Sequence, residues 1–236
     1  MRCDPETGAC LLPDLDAASE NTDTIRSVIS YVGDPMCSWC WGMSPVVTQL
    51  AEWCATRGQP FRMVMGGLRA GGGDPWNSAF RGFLRQEWTH IADRTGQPFG
   101  FGLLERSHFS YDTEPACRAV VTARHFLADD VFKRQEQAFF AAVQKKFYVE
   151  GEDPKQPEFY RNICAEAGLD FASFALHFDS AEARQAVMSD FRLARELGVR
   201  AFPSIVLEKE GKTHQVAAGY VGFAALQDRL QTILTA

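Results

Sequence analysis

The chain has 236 residues, which suits one domain or one domain that carries a large insertion. Its 24 Lys and Arg residues against 30 Asp and Glu residues give a net charge of −6. This acidic balance, without a basic stripe, argues against a nucleic-acid partner and against an anionic membrane surface. No apolar run approaches the roughly 20 residues that cross a bilayer.

The first 24 residues predict a flexible tail. They carry two prolines and several acidic residues, and they show little apolar periodicity. Cys3 and Cys10 form a C-x6-C pair within this tail. No basic segment followed by an apolar stretch is present, so we expect no secretory signal and a cytoplasmic location.

The next elements alternate between strand and helix. Residues 25–32 are short and β-branched and end at a G-D-P turn, which predicts a strand. Residues 37–54 have helical spacing, and residues 61–65 predict a second strand. From 72 to 179 strand signals are nearly absent, and the spacing predicts an insertion of four or five helices. The first part of the chain is therefore a βαβ unit followed by a helical insertion.

The last part of the chain predicts a helix, two strands and a closing helix. Ser180 has the chemistry of a helix N-cap, and that helix is expected to stop at Gly198. Strands are expected at 205–207 and 214–218, and the closing helix at 223–234.

A C-x-x-C pair stands at the junction of the first strand and the first helix. Cys37 is expected in the first turn, where free backbone N–H groups and the helix dipole stabilise a thiolate. This favours Cys37 as the attacking nucleophile. Cys40 lies one turn later on the same face and is expected to resolve the mixed disulfide. Ser38 and Trp39, between the two cysteines, are candidate substrate-binding residues.

The segment D-P-M-C-S-W-C-W-G-M-S-P resembles the active-site segment of the thioredoxin superfamily, and Pro45 matches its helix proline. The later L-G-V-R-A-F-P-S, followed by two strands and a helix, resembles the cis-proline loop of that superfamily. The long insertion is similar to that of the DsbA-like branch, and C-S-W-C-W-G and D-T-E-P-A-C-R-A are most like its cytosolic FrnE-like members.

The resemblance implies an α/β thioredoxin fold (βαβ…ββα) with a large all-helical insertion. It divides the chain into a tail at 1–24, a thioredoxin-like domain at 25–71 and 180–236, and an insertion domain at 72–179. It also implies a thiol–disulfide oxidoreductase or isomerase that acts on protein disulfides through the dithiol, without cofactor or metal. Small-molecule thiols and disulfides, including glutathione, are expected as further partners.

The same resemblance assigns a role to the F-P dipeptide. A cis bond before Pro203 would direct the backbone of Phe202 toward the sulfur of Cys37, where it would pair with an extended substrate. Phe202 departs from the smaller residues usual at this place, and its ring is expected beside the sulfur. Asp34 has two interpretations, of which we favour the first: a turn residue, or a group that assists proton transfer to Cys40.

Three other functions stay open from the sequence. Kappa-class glutathione transferases and chromene-carboxylate isomerases share the DsbA-like fold, but they usually carry Ser in place of the paired cysteines. A zinc module would need four thiolates, from Cys3, Cys10, Cys37 and Cys40. The third is a chaperone-like peptide binder with an incidental dithiol.

The tail cysteines carry a separate hypothesis. Asp and Pro followed by Gly between Cys3 and Cys10 favour a turn that brings the two residues within disulfide distance. A tethered tail dithiol would then reduce the Cys37–Cys40 disulfide, or cap the site until a substrate displaces it. Tethering would give it an effective concentration in the millimolar range at Cys37. In the alternative interpretation, the tail thiols are spectators or bind metal adventitiously.

Overall fold

The computed structural model describes residues 2–3, 10–11, 27–128 and 131–235. Its centre is a mixed sheet of four strands, β3 (Ser27–Gly33), β4 (Phe61–Met65), β5 (Ser204–Lys209) and β6 (Lys212–Ala218). Their order in the sheet is β4-β3-β5-β6, with β3 and β4 parallel and the other pairs antiparallel. This is the predicted βαβ…ββα topology.

A two-residue ladder lies apart from the main sheet. It joins β1 (Arg2–Cys3) to β2 (Cys10–Leu11), antiparallel, with Cys3 opposite Cys10. The rest of the predicted tail, 1–24, lies outside the described residues.

Eight α-helices and two short 3-10 helices occupy the described parts of the chain. They are α1 (Ser38–Arg57), α2 (Ser78–Thr95), α3 (Glu114–Phe126), α4 (Arg134–Tyr148), α5 (Arg161–Glu166), α6 (Phe171–Phe178), α7 (Ala181–Glu196) and α8 (Phe223–Thr235), with 3-10 turns at Gly102–Glu105 and Pro157–Tyr160. Between β4 and β5 the described residues form no strand, as the sequence predicts. The division at 72 and 179 into two domains stays a prediction.

The sheet buries both faces, and the alternation of side chains along its strands separates them. Ile29 and Tyr31 of β3 face the larger core, which includes much of α1 and the insertion. Val32 faces the smaller core with Val64 and Val206, and α7 covers that side. Because β3 is covered on both faces and paired on both edges, its carboxyl end is a rigid base for the residues that follow.

A buried ionic network ties the insertion to the end of β4. The guanidinium of Arg124 in α3 binds Asp190 of α7 at 2.9 Å and Glu136 of α4 at 2.7 Å. Asp190 Oδ2 also accepts a hydrogen bond from the Met65 N–H at 2.9 Å. Removing one partner would leave a buried charge uncompensated, so this network holds the three helices in one arrangement around β4.

None of the helices in the described ranges has both the length and the apolar character needed to cross a membrane.

Candidate active site

The C-x-x-C pair lies where β3 runs into α1, at the predicted position. Helix α1 begins at Ser38, so Cys37 is the N-cap residue and not part of the first turn as expected. The Cys37 side chain makes no capping hydrogen bond, and no acidic residue lies in the first turn. The free N–H groups there are therefore available to an anionic sulfur. Both cysteines are free thiols; Cys37 is 5% exposed and Cys40 is fully buried.

The loop before β5 lies against Cys37. The Cys37 Sγ is 3.8 Å from the carbonyl oxygen of Phe202, and the Phe202–Pro203 peptide bond is cis. Val32 pairs with Ser204 in the ladder between β3 and β5, which brings the end of one strand beside the start of the other. Residues 165 positions apart in sequence thus meet at the sulfur. The cis geometry expected from the sequence is present in the structure.

The ring of Phe202 packs against the end of β4, and its expected position beside the sulfur stays a prediction. It lies over Gly66 at the end of β4, where an added Cβ atom would overlap the ring, and it contacts the smaller core. The main chain of Phe202 faces Cys37, whereas its ring fills the space above a residue without a side chain. We therefore assign contact with the sulfur to the Phe202 carbonyl, and the role of the ring in substrate choice stays a prediction.

Burial separates Cys40 chemically from its partner. Desolvation raises the pKa of the Cys40 thiol well above its ordinary value, and the neighbouring Cys37 raises it further. The Tyr31 hydroxyl, which approaches Cys40 from β3, lowers the pKa of Cys40. Burial in turn raises the pKa of Tyr31 well above its ordinary value. Cys40 is thus protonated at neutral pH, and it must lose its proton before it attacks a mixed disulfide.

Asp34 holds the turn that presents Cys37. One carboxylate oxygen accepts from the Met36 N–H at 2.8 Å, and the other accepts from the Leu68 N–H at 2.7 Å. Thr113 and Cys117 of the insertion also approach this carboxyl and lower its pKa. Desolvation raises the pKa of Asp34 despite these hydrogen bonds. The geometry agrees with the favoured interpretation of Asp34 as a turn residue, and it joins that turn to the insertion.

Two tyrosines of the insertion complete the buried side of the site. The Tyr111 hydroxyl donates to the carbonyl oxygen of Met36 at 2.9 Å and lies 3.5 Å from the Tyr148 hydroxyl. Burial raises the pKa of both phenols above the ordinary value. Met36, the residue before Cys37, is thereby hydrogen-bonded at its N–H by Asp34 and at its carbonyl by Tyr111.

The exposed side of the site is formed by Ser38 and Trp39, both half-buried. The Trp39 ring contacts His90 of α2 and Tyr220 of the loop after β6, with centroids at 5.7 Å and 6.1 Å. Within the described residues, no group of three or more His, Cys, Asp or Glu side chains converges as a metal site. The side chains of Cys3 and Cys10 lie outside that description.

Sequence patterns singled out the dithiol, Pro203, Asp34 and the residues between the cysteines, but not the surrounding hydroxyls and rings. Tyr31 of β3 and Cys117 of α3 were not among the candidate site residues. His90, Tyr111 and Tyr220 carry no local signal, because they reach the site through tertiary packing. The alternation of β3 could have indicated Tyr31, since it predicts which residues face α1.

Comparison with known proteins identifies the family. The model of the DSBA-like thioredoxin domain matches residues 28–231. The chain belongs to this family. That span includes the sheet, the dithiol, the cis-proline loop and the whole insertion, so the DsbA-like resemblance and the fold class are confirmed.

Several known structures are similar to this DsbA-like chain over most of its length. A proposed protein disulfide isomerase from Nitrosomonas europaea is 32% identical, with a TM-score of 0.76 over 89% of this chain and 98% of that one. The cytosolic disulfide reductase DsbM from Pseudomonas aeruginosa is 29% identical, with a TM-score of 0.69 over 88% and 98%. Its structure with GSH aligns at 28% identity and a TM-score of 0.68 over 89% and 100%. These neighbours support an oxidoreductase.

A curated relative has a different description. The ClpXP adapter protein SpxH of Shouchella clausii (strain KSM-K16) is 21% identical over 209 residues, or 86% of this chain. The chain spans only 65% of the length of that relative.

Proposed function

We propose that this protein is a thiol–disulfide oxidoreductase that reduces disulfides of proteins and peptides through Cys37 and Cys40. Its electron source is a thiol compound that carries carboxylates, of the glutathione type. The observation that carries the proposal is the pairing of an N-cap sulfur, 3.8 Å from the Phe202 carbonyl, with a fully buried second thiol. The DsbM structure with GSH supports the choice of thiol.

The reaction follows from the two environments. The thiolate of Cys37 attacks one sulfur of the substrate disulfide and forms a mixed disulfide, and the other substrate sulfur leaves as a thiolate. Cys40 then loses its proton and attacks the Cys37 sulfur, which releases the second substrate thiol and leaves a Cys37–Cys40 disulfide. Two glutathione molecules reduce this disulfide in two exchange steps and leave as glutathione disulfide.

The backbone next to Cys37 suits an extended substrate. Phe202 lies two residues before Ser204, the residue at which β5 enters the ladder with β3. A substrate segment that pairs there would hold its disulfide against the Cys37 sulfur, as in strand addition. Ser38 and Trp39 would contact the same segment from the start of α1.

Insulin reduction with glutathione, glutathione reductase and NADPH tests this function. Cys37→Ser should abolish turnover, whereas Cys40→Ser should accumulate a mixed disulfide at Cys37 that mass spectrometry detects. Cys54→Ser, a change at a buried thiol in α1 outside the pair, is the matched control. Full turnover by Cys37→Ser would refute the proposal, and a wild-type protein that binds insulin without reducing it would favour a peptide binder. Glutathione conjugation that persists in Cys40→Ser would favour the transferase type.

Two finer assignments rest on the same scheme. An isomerase activity would require Cys37 to leave a substrate before Cys40 resolves it, and reactivation of scrambled ribonuclease measures it. A cytoplasmic location would suit a reductase supplied by glutathione, because thiols are kept reduced there.

A further inference from the structure

A patch of aromatic and basic side chains borders the exposed side of the dithiol. Trp39 contacts His90 edge-on and Tyr220 at a tilt of 41°. The guanidinium of Arg94 lies over the Tyr220 ring, 5.9 Å from its centroid. We call these four residues, Trp39, His90, Arg94 and Tyr220, the aromatic rim. Three separate elements meet in it: α1, α2 and the loop after β6.

The aromatic rim is connected to the Cys37 site in two ways. Trp39 is two residues after Cys37 in the chain. The residue before Tyr220, Gly219, donates its N–H to the Pro203 carbonyl at 2.7 Å. Since the Phe202 carbonyl contacts the Cys37 sulfur, the loop that carries Tyr220 is one hydrogen bond away from the site. The rim is therefore connected to the site both through the chain at Trp39 and through the hydrogen bond between Gly219 and Pro203.

Helix α2 brings a positive charge to this place. It approaches α1 closely at Gly42, where an added Cβ atom would lie 2.9 Å from Ile91 and 3.1 Å from Thr95. His90 and Arg94 are four residues apart and share one face of α2, and both are exposed. Arg94 forms no ion pair with any carboxylate of the described residues, although the chain as a whole is acidic.

These features match the chemistry of a thiol-containing peptide that carries carboxylates. A carboxylate is the natural partner of an unpaired guanidinium, which binds it through two parallel hydrogen bonds. The rings of Trp39 and Tyr220 offer flat apolar surface to peptide groups, and the imidazole of His90 offers an N–H donor. A neutral or basic thiol would gain the aromatic contacts but not the charge pairing.

We propose that the aromatic rim is the subsite that selects glutathione, with Arg94 binding a carboxylate of the tripeptide whose sulfur exchanges with Cys37. The inference rests on the proposed function and adds the residues that recognise the thiol. In the step concerned, the glutathione thiolate attacks the Cys37 sulfur of the oxidised pair. The Cys37–Cys40 bond breaks, a glutathione–Cys37 disulfide forms, and Cys40 leaves as a thiolate that takes up a proton.

The reverse exchange gives the sharpest test, because the disulfide reagent can be varied. Reduced protein is mixed with glutathione disulfide or with the uncharged 2-hydroxyethyl disulfide, and loss of free Cys37 is followed by rapid quench and mass spectrometry. The measured quantity is the ratio of the two rate constants. Arg94→Gln should lower this ratio about tenfold, the size expected for one charge-assisted contact at an exposed site. Arg94→Lys should restore part of it.

Arg81→Gln is the matched control, because Arg81 lies in the same helix about 20 Å from Arg94 along its axis. This variant should keep the wild-type ratio, and added salt should lower the ratio of the wild-type protein toward that of Arg94→Gln. An unchanged ratio in Arg94→Gln, with both rate constants intact or equally reduced, would overturn the subsite and leave the dithiol function standing. A wild-type protein that reacts with neither disulfide would overturn both proposals.

Discussion

The side-chain amide of Gln97 donates a 2.9 Å hydrogen bond to the main-chain carbonyl of Trp41. In an unbroken helix that carbonyl would accept from the residue four positions later, but here the residue is Pro45, which has no N–H. Met43, two residues after Trp41 in the helix, is fully buried, so the Trp41 carbonyl lies in a densely packed region. The indole N–H of Trp41 is bound by the Pro98 carbonyl at 2.9 Å. The loop after α2 therefore supplies the hydrogen-bond donor that Pro45 cannot give to the Trp41 carbonyl in α1.

Gln97→Ala should lower the free energy of unfolding by about 1–3 kcal/mol, because it leaves a carbonyl of a buried helix without a partner. Chemical denaturation measures the loss. Gln86→Ala, at an exposed position of α2, is the control and should stay within about 0.5 kcal/mol of the parent. Equal stability of the two variants would show that water replaces the amide.

Asp34→Asn should change how stability depends on pH. The folded-state pKa of Asp34 is raised above its ordinary 3.8, mainly by desolvation. At pH values between 3.8 and the raised pKa of Asp34, the folded protein binds more protons at this residue than the unfolded chain does. The contribution of Asp34 to the free energy of unfolding therefore falls as pH rises from about 3.8 through the raised pKa, by about 1.4 kcal/mol per unit at most, and is constant above it.

The variant cannot ionise at this position and should lack that decline. Denaturation of both proteins across this pH range measures the difference between their curves. Asp93→Asn removes the same formal charge from an exposed position of α2 and serves as the control. Parallel curves for the parent and Asp34→Asn would contradict the prediction.

Gly66→Ala should disturb the site through Phe202. The glycine does not have a positive φ, so its backbone tolerates other residues, but the new methyl group would overlap the Phe202 ring. We expect a loss of about 1–3 kcal/mol of stability from the overpacking, together with slower insulin reduction, because the Phe202 carbonyl contacts Cys37.

A double-mutant cycle isolates this contact. Phe202→Val alone creates space above Gly66, and the methyl group of Gly66→Ala then fits into it. The double variant should be more stable than the sum of the two single effects predicts, with a coupling of at least about 0.5 kcal/mol. Additive effects would mean that the ring and the glycine are energetically independent.

The tail cysteines should form a disulfide in air. In the β1–β2 ladder Cys3 is directly opposite Cys10, and such pairs have Cα atoms about 4.5–5.5 Å apart, within the range that a disulfide spans. Mass spectrometry of the oxidised protein should find a Cys3–Cys10 bridge. Replacing both residues by Ser should change reductase turnover in low-thiol buffer. Unbridged cysteines with unchanged turnover would leave the tail thiols as spectators.

The sequence by itself determined the elements of this protein and the position of its dithiol. The strand at Phe61–Met65 and the cap at Ser180 follow from composition and spacing within a few residues, because strand alternation and helix capping are local effects. The C-x-x-C pair was placed correctly for the same reason: a strand that runs into a helix is visible in the chain itself.

Only the tertiary structure decided what surrounds the sulfurs. Gln97 meets Trp41 across 56 positions, and Cys37 meets Phe202 across 165. The packing of the Phe202 ring depends on the empty space at Gly66. Arg94 meets Tyr220, which contacts Trp39 of the C-x-x-C segment, because α2 packs closely on α1. Such contacts depend on which helix faces pack together, and that is a property of the whole core that no local pattern encodes.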